Sequence, residues 1–138
     1  MVSPSFCRSS ISMVESSGIT SGRTFRECGQ IAAITHDWPG AERWFAEAAK
    51  QAPSLPAAFS EWGDERLARG DLTGAIAEYQ TAHQKGPHFA DPLKGWGDAL
   101  ARQGQWNEAL AKYNEALTAA PAWQALRQAR DEAAKHVG

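Results

Sequence analysis

From Gly22 onward the apolar residues fall in helical registers. In the stretch 90–123, Leu93, Trp96, Gly97 and Leu100 recur at i, i+3, i+4 and i+7, and a second stripe runs through Trp106, Ala109, Leu110, Tyr113, Ala116 and Leu117. Each spacing lays one apolar stripe along one side of a helix. Gly104 stands between the two stripes, where a left-handed C-terminal cap costs glycine no Cβ clash. Pro121 ends the second stripe, since proline cannot continue the helical hydrogen-bond ladder. Phe59, Trp62 and Gly63, then Gly70, then Leu72, Ala75, Ile76, Tyr79 and Ala82, then Pro87 repeat the same grammar. Phe25, Cys28 and Gly29 open a further copy, with Asp37 predicted as an N-cap and Pro39 in the first turn of the next helix. No segment alternates apolar and polar residues over a useful length. The pattern predicts an all-α chain.

The copies share one period. Trp62-Gly63-Asp64 returns as Trp96-Gly97-Asp98, Gly70 as Gly104, Ala75 as Ala109, Tyr79 as Tyr113, Ala82 as Ala116 and Pro87 as Pro121. The same step back from the middle copy finds Gly29, Ala41, Phe45, Ala48 and Pro53. Three units follow, 22–55, 56–89 and 90–123, each predicted to be two helices, with 124–138 left as a terminal cap. In that cap Trp123, Leu126, Ala133 and Val137 form an apolar stripe, and Gln124, Arg127, Gln128, Asp131 and Lys135 face water. A helix pair cannot bury its own apolar face, so stacking of units makes the core, and a terminal helix polar outside keeps the array in solution. Glycines 29, 63 and 97 are expected to face Ala41, Ala75 and Ala109 and let the paired axes approach closely. A helical glycine costs ~1 kcal/mol against alanine, so its recurrence implies a packing demand.

This spacing resembles the tetratricopeptide-repeat family, whose pattern is W-x2-L-G-x2-Y, then A-x3-F, then P, in a 34-residue period. The chain reads Phe25-x2-Cys28-Gly29-x2-Ala32, Ala41-x3-Phe45, Pro53; then Phe59-x2-Trp62-Gly63-x2-Arg66, Ala75-x3-Tyr79, Pro87; then Leu93-x2-Trp96-Gly97-x2-Leu100, Ala109-x3-Tyr113, Pro121. The resemblance covers 22–123 and implies a right-handed superhelical solenoid of helix-turn-helix repeats. Two departures bear on local geometry. Arg66 replaces an apolar residue, and His36 takes the inter-helix place held by glycine in the other copies.

Residues 1–21 read differently, with eight serines, one Arg and one Glu among them. Such a segment has little apolar surface to bury and is expected to be a flexible tail. It lacks the apolar h-region of a signal peptide. Met13 is an alternative start, and the first repeat has no cap of its own, so either the tail covers it or further repeats once preceded it. Trp44, expected on the outer face of its helix, is the natural docking point for the tail.

Composition excludes several classes. The 138-residue chain carries 14 Lys+Arg against 16 Asp+Glu, a net charge of −2, so no basic surplus invites nucleic acid or an anionic membrane. No apolar run approaches the ~20 residues of a membrane span. A cytoplasmic location is the expectation. Two cysteines, Cys7 and Cys28, are too few for a disulfide scaffold. Cys28 reads as a small buried hydrophobe and Cys7 as an exposed bystander. The histidines, 36, 83, 88 and 136, include no i, i+4 pair for a metal. There is no phosphate loop and no G-x-S-x-G. Neither an enzyme nor a bound cofactor is expected.

Function then falls to the groove. The resemblance implies that the first helices of successive units line a concave surface that binds a segment of a partner protein. The corresponding positions are Arg23, Arg26, Gln30 and Ile34, then Ser60, Asp64 and Leu67, then Lys94, Asp98, Ala101 and Arg102. Asp64 and Asp98, one repeat apart, are the leading candidates, placed to accept bonds from cationic side chains. The family's carboxylate-clamp subclass, which grips the C-terminus of heat-shock chaperones, uses Lys and Asn, then Asn, then Lys and Arg. Here those positions hold Arg26 and Gln30, Glu61, and Asp91 and Gly95, so the third-unit cations are absent and the clamp is not expected. The expectation is a non-catalytic protein-interaction module, with self-association through the open first repeat as a further partner. The alternative is a regulatory or scaffolding fragment of a longer enzyme or signalling protein.

Overall fold

The helices stop where the backbone must turn left-handed. His36 (φ 62°), Gly70 (φ 90°) and Gly104 (φ 82°) stand at equivalent places between paired helices. Glycine takes this conformation freely, whereas histidine pays a steric cost of roughly 1–2 kcal/mol. In this computed structural model residues 22–137 are described, with side chains from Phe25 onward. Among the described residues there are seven helices and no strand. They are α1 (Gly22–Ile34), α2 (Trp38–Gln51), α3 (Pro56–Ala68), α4 (Leu72–Lys85), α5 (Ala90–Arg102), α6 (Trp106–Ala119) and α7 (Gln124–Val137). Asp37 and Asp71 cap α2 and α4 by accepting the amides of Gly40 and Gly74 at 3.2 and 3.0 Å. Gln105, at the same place before α6, makes no side-chain cap bond.

The helices pair as α1–α2, α3–α4 and α5–α6, and each pair stacks on the next. First helices also touch one another (α1 with α3, α3 with α5, α5 with α7), while α2, α4 and α6 do not meet. An array in contact along one side and splayed along the other must curve. The first helices therefore form its concave wall and α2, α4 and α6 its convex back.

The glycines do bring the helices close, but their opposite numbers are rings rather than alanines. A Cβ on Gly29 would sit 2.8 Å from Phe45, one on Gly63 2.7 Å from Tyr79, and one on Gly97 2.6 Å from Tyr113. Tyr79 also abuts Gly95 of the next unit, so one ring fills the space within a repeat and between repeats. The alanines 41, 75 and 109 are fully buried beside them. Trp44 is likewise inside: it is 6% exposed and stacks on Phe25 at 5.6 Å between centroids. The sequence places it on an outer face, but the first-repeat core claims it, so it offers no docking point. Cys28 is fully buried, as expected. Cys7 and the 1–21 tail lie outside the described residues.

On α7, Leu126 and Ala133 are fully buried against the third repeat, and Trp123, just before it, is half-buried. Val137 is 39% exposed and leaves the predicted stripe. His136 does the terminal packing instead, stacked flat on Trp106 at 3.8 Å.

Candidate functional site

The concave wall encloses a cavity of about 370 Å³. It is lined by Gln30 of α1; Ala57, Ser60, Glu61 and Asp64 of α3; Asp91, Lys94, Gly95 and Asp98 of α5; and Phe89 and Trp123, which precede α5 and α7. The repeat explains why these residues meet. Ala57 and Asp91 are one period apart, as are Ser60 and Lys94, Glu61 and Gly95, Asp64 and Asp98, and Phe89 and Trp123. Stacked first helices bring equivalent side chains to one wall.

Two aspartates are tied to the fold as well as to the cavity. Tyr79 donates its hydroxyl to Asp64 Oδ1 at 2.6 Å, and Tyr113 donates to Asp98 Oδ1 at 2.6 Å. Each bond links the two helices of its repeat. Burial pushes both tyrosine hydroxyls far up, reinforced by the aspartates beside them, so they stay protonated donors. Asp64 keeps an open face, yet the surrounding walls strip its hydration and push its carboxyl up to about 6. The Tyr79 bond opposes this, and the charges of Asp91, Glu61 and Asp98 add to it. Asp91 is raised too, by desolvation first and then by Glu61. Lys94 Nζ lies 2.9 Å from Asp98 Oδ2 and 6.0 Å from the Trp123 ring. Arg26 grips Glu61 with two donors, Nε at 2.7 Å and Nη2 at 2.5 Å. That bidentate bond holds the guanidinium pKa above its ordinary value.

Gln30, Ser60, Asp64, Lys94 and Asp98 thus line one cavity. Arg26 stands beside it, engaged with Glu61. Leu67 and Arg102 meet each other instead, Arg102 donating to the Leu67 carbonyl at 3.0 Å. Arg23 lies in α1, but its side chain is outside the described residues. The carboxylates Glu61 and Asp91 and the rings of Phe89 and Trp123 were not among the expected lining residues. For Asp91 helical spacing was the available signal, since it precedes Lys94 by about one turn.

A second charged cluster lies between the first two repeats, away from the cavity. Glu42 accepts Trp62 Nε1 at 2.9 Å, Arg66 Nε at 2.9 Å and Arg69 Nη2 at 2.6 Å. Arg66 also lies 3.5 Å from Glu78 and stacks over Trp62 at 5.0 Å, which is what the departure from an apolar residue brings about. Burial works against the charge on Glu42, but bonds from Arg66 and Trp62 outweigh it and hold its carboxyl below its ordinary value. Glu65 is the opposite case. Its side chain is fully buried, neither oxygen has a hydrogen bond, and Arg69 stands 3.4 Å away. Desolvation, with Glu42 opposing the countering Arg69, pushes it up to about 7.

Among the described residues no group of three or more His, Cys, Asp or Glu is arranged for a metal, and no helix is long and apolar enough to cross a membrane. Curved pairs of helices with a polar concave cavity define a helical-repeat scaffold. Residues 90–123 match the family model of the tetratricopeptide repeat. The TPR domain of Arabidopsis OM64 is similar at TM-score 0.78 and 19% identity, over 84% of this chain and 96% of that one. The TPR domain of Sgt2 from Aspergillus fumigatus gives TM-score 0.79 and 16% identity, over 84% and 78%. The TPR2B domain of yeast Sti1, in complex with an Hsp70 peptide, gives 0.76 and 21%, over 83% and 96%. No curated protein matches the chain. The chain thus has the fold of these domains, three helix pairs and a capping helix, and its third pair matches the tetratricopeptide repeat itself.

Proposed function

We propose that the chain is a non-catalytic interaction module that takes a segment of a partner protein in its concave groove. The cavity of about 370 Å³ lined by equivalent positions of successive repeats carries this reading. Its polar groups converge on one wall, within reach of a single extended segment. The Sti1 neighbour, in complex with an Hsp70 peptide, supports a protein segment as the kind of ligand such a fold takes. The acidic lining speaks against the clamp subclass, because Glu61, Asp91 and Gly95 stand where a carboxylate clamp needs neutral or cationic donors. Ala57→Trp tests the reading, since it fills the groove from a half-buried wall position without removing any side-chain hydrogen bond. Partner proteins captured by the wild type and by a convex-face control, Gln80→Trp, should be lost from Ala57→Trp. Partners lost only from the convex variant would move the site to the back of the array.

A further inference from the structure

Comparing the repeats with one another exposes a missing cation in the groove. In the third unit Lys94 neutralises Asp98 four residues on, at 2.9 Å. In the second unit the same two positions hold Ser60 and Asp64, so serine stands where the cation would be. Of the four carboxylates lining the cavity, Glu61 is held by Arg26 and Asp98 by Lys94. Asp64 receives only the neutral Tyr79 hydroxyl, and no ion pair forms at Asp91 among the described residues. Asp64 and Asp91 belong to adjacent helices of the wall, α3 and α5, line the same cavity, and the charge of Asp91 works against that of Asp64. Independently of these acids, Ser60 points to a ligand. It is 3% exposed, lines the cavity, and makes no hydrogen bond to any described residue. A hydroxyl at the cavity wall with no protein partner is free to bond an occupant of the cavity.

We propose that the groove selects a basic segment, with a lysine or arginine side chain seated between Asp64 and Asp91. This rests on the groove being the binding site, and it adds the chemistry of the occupant. The incoming cation takes the place that Lys94 fills in the next repeat, relieving the repulsion between the two carboxylates. A guanidinium is the better fit, because its several donors reach a carboxylate and the Ser60 hydroxyl oxygen together. Phe89 and Trp123, one repeat apart on the same cavity, give the aliphatic stem an apolar flank and the charge a ring face. Among the described residues, an acidic chain end would meet four carboxylates there and one lining cation, Lys94, already committed.

Titration of the full chain, followed by amide chemical shifts, tests this with two pools of capped heptapeptides. The pools share randomised uncharged flanks and differ in a central Arg or a central Glu. The Arg pool should shift the amides of Ser60, Asp64 and Lys94, with affinity at least about tenfold above the Glu pool. Asp64→Asn and Asp91→Asn should each remove most of that preference, and Asp131→Asn on α7 should leave it. In Asp64→Asn the amide oxygen still accepts the Tyr79 hydroxyl, so the fold is retained, and an unchanged circular-dichroism melt verifies it. Groove shifts that favour the Glu pool would overturn the cation inference and leave the groove reading standing. Shifts confined to α2, α4 and α6 would overturn both. Silence from both pools at millimolar peptide would overturn the proposal as well.

Discussion

Glu65→Gln probes the carboxylate sealed between the first two repeats. The side chain has no solvent exposure, no hydrogen bond, and a single cation at 3.4 Å. Its carboxyl titrates near about 7 when folded against an ordinary 4.5. At 1.36 kcal/mol per pH unit, that displacement is worth on the order of 3 kcal/mol. Between the two values the folded chain keeps the proton that the unfolded chain has released. Unfolding free energy therefore falls as pH rises through this window, and the loss is complete once pH exceeds about 7. Glutamine carries no charge to desolvate. Arg69 is not orphaned by the change, because Glu42 at 2.6 Å and Asp71 at 3.6 Å remain. Urea unfolding at pH 5 and pH 8.5 should thus give a smaller loss in the variant than in wild type, by ~2–3 kcal/mol, at unchanged m-value. Parallel losses in the two proteins would refute the reasoning. So would a variant less stable than wild type at pH 8.5, since the ionised carboxylate would then be a net stabiliser through Arg69.

Gly97→Leu should lower the thermal midpoint, as its Cβ alone would come within 2.6 Å of Tyr113; overpacking costs typically ~1–3 kcal/mol, and an unchanged melt would show that the contact yields. Gln105→Ser should raise stability by ~1 kcal/mol in denaturant titration, because serine there completes an S-x-x-E capping box with Glu108 where Gln105 makes no cap bond. Affinity for the Arg-centred peptide should fall as pH drops below about 6, where Asp64 takes up its proton, and Asp64→Asn should flatten that profile; calorimetric titration at pH 7.5 and 5 reads it directly. The sign follows from the ligand's charge: a cation favours the ionised carboxylate, so protons compete with it.

The repeat made most of the architecture legible in the sequence. A shared offset at Trp62, Gly63, Gly70, Tyr79 and Pro87 constrains the helix pairs, the left-handed turns and the stacking together, because each position has one structural task in every unit. His36 is an instance: a departure from glycine in the sequence, it nonetheless keeps the positive φ of its place in the period. What the glycines face was less legible, since small residues at two positions do not say whether alanine or a ring lies between them. Asp64 and Asp98 were found as groove residues but not as acceptors for Tyr79 and Tyr113, because a helix-pair pattern does not specify side-chain direction. Replacing them by alanine would orphan both hydroxyls, so the neutral change expected of a surface residue does not hold, and asparagine is the informative substitution. Trp44 and Glu65 were hidden for a related reason. Burial between repeats depends on which face each unit turns to its neighbour, and the single-helix stripe carries only part of that information.

A photo-crosslinking residue placed at Gln30, on the groove wall, and separately at Gln80, on the convex back, tests the groove reading most directly. Crosslinked peptides mapped by mass spectrometry should come from one basic segment of a partner and only from position 30. Crosslinks to that partner from position 80 alone would contradict the groove as the binding site.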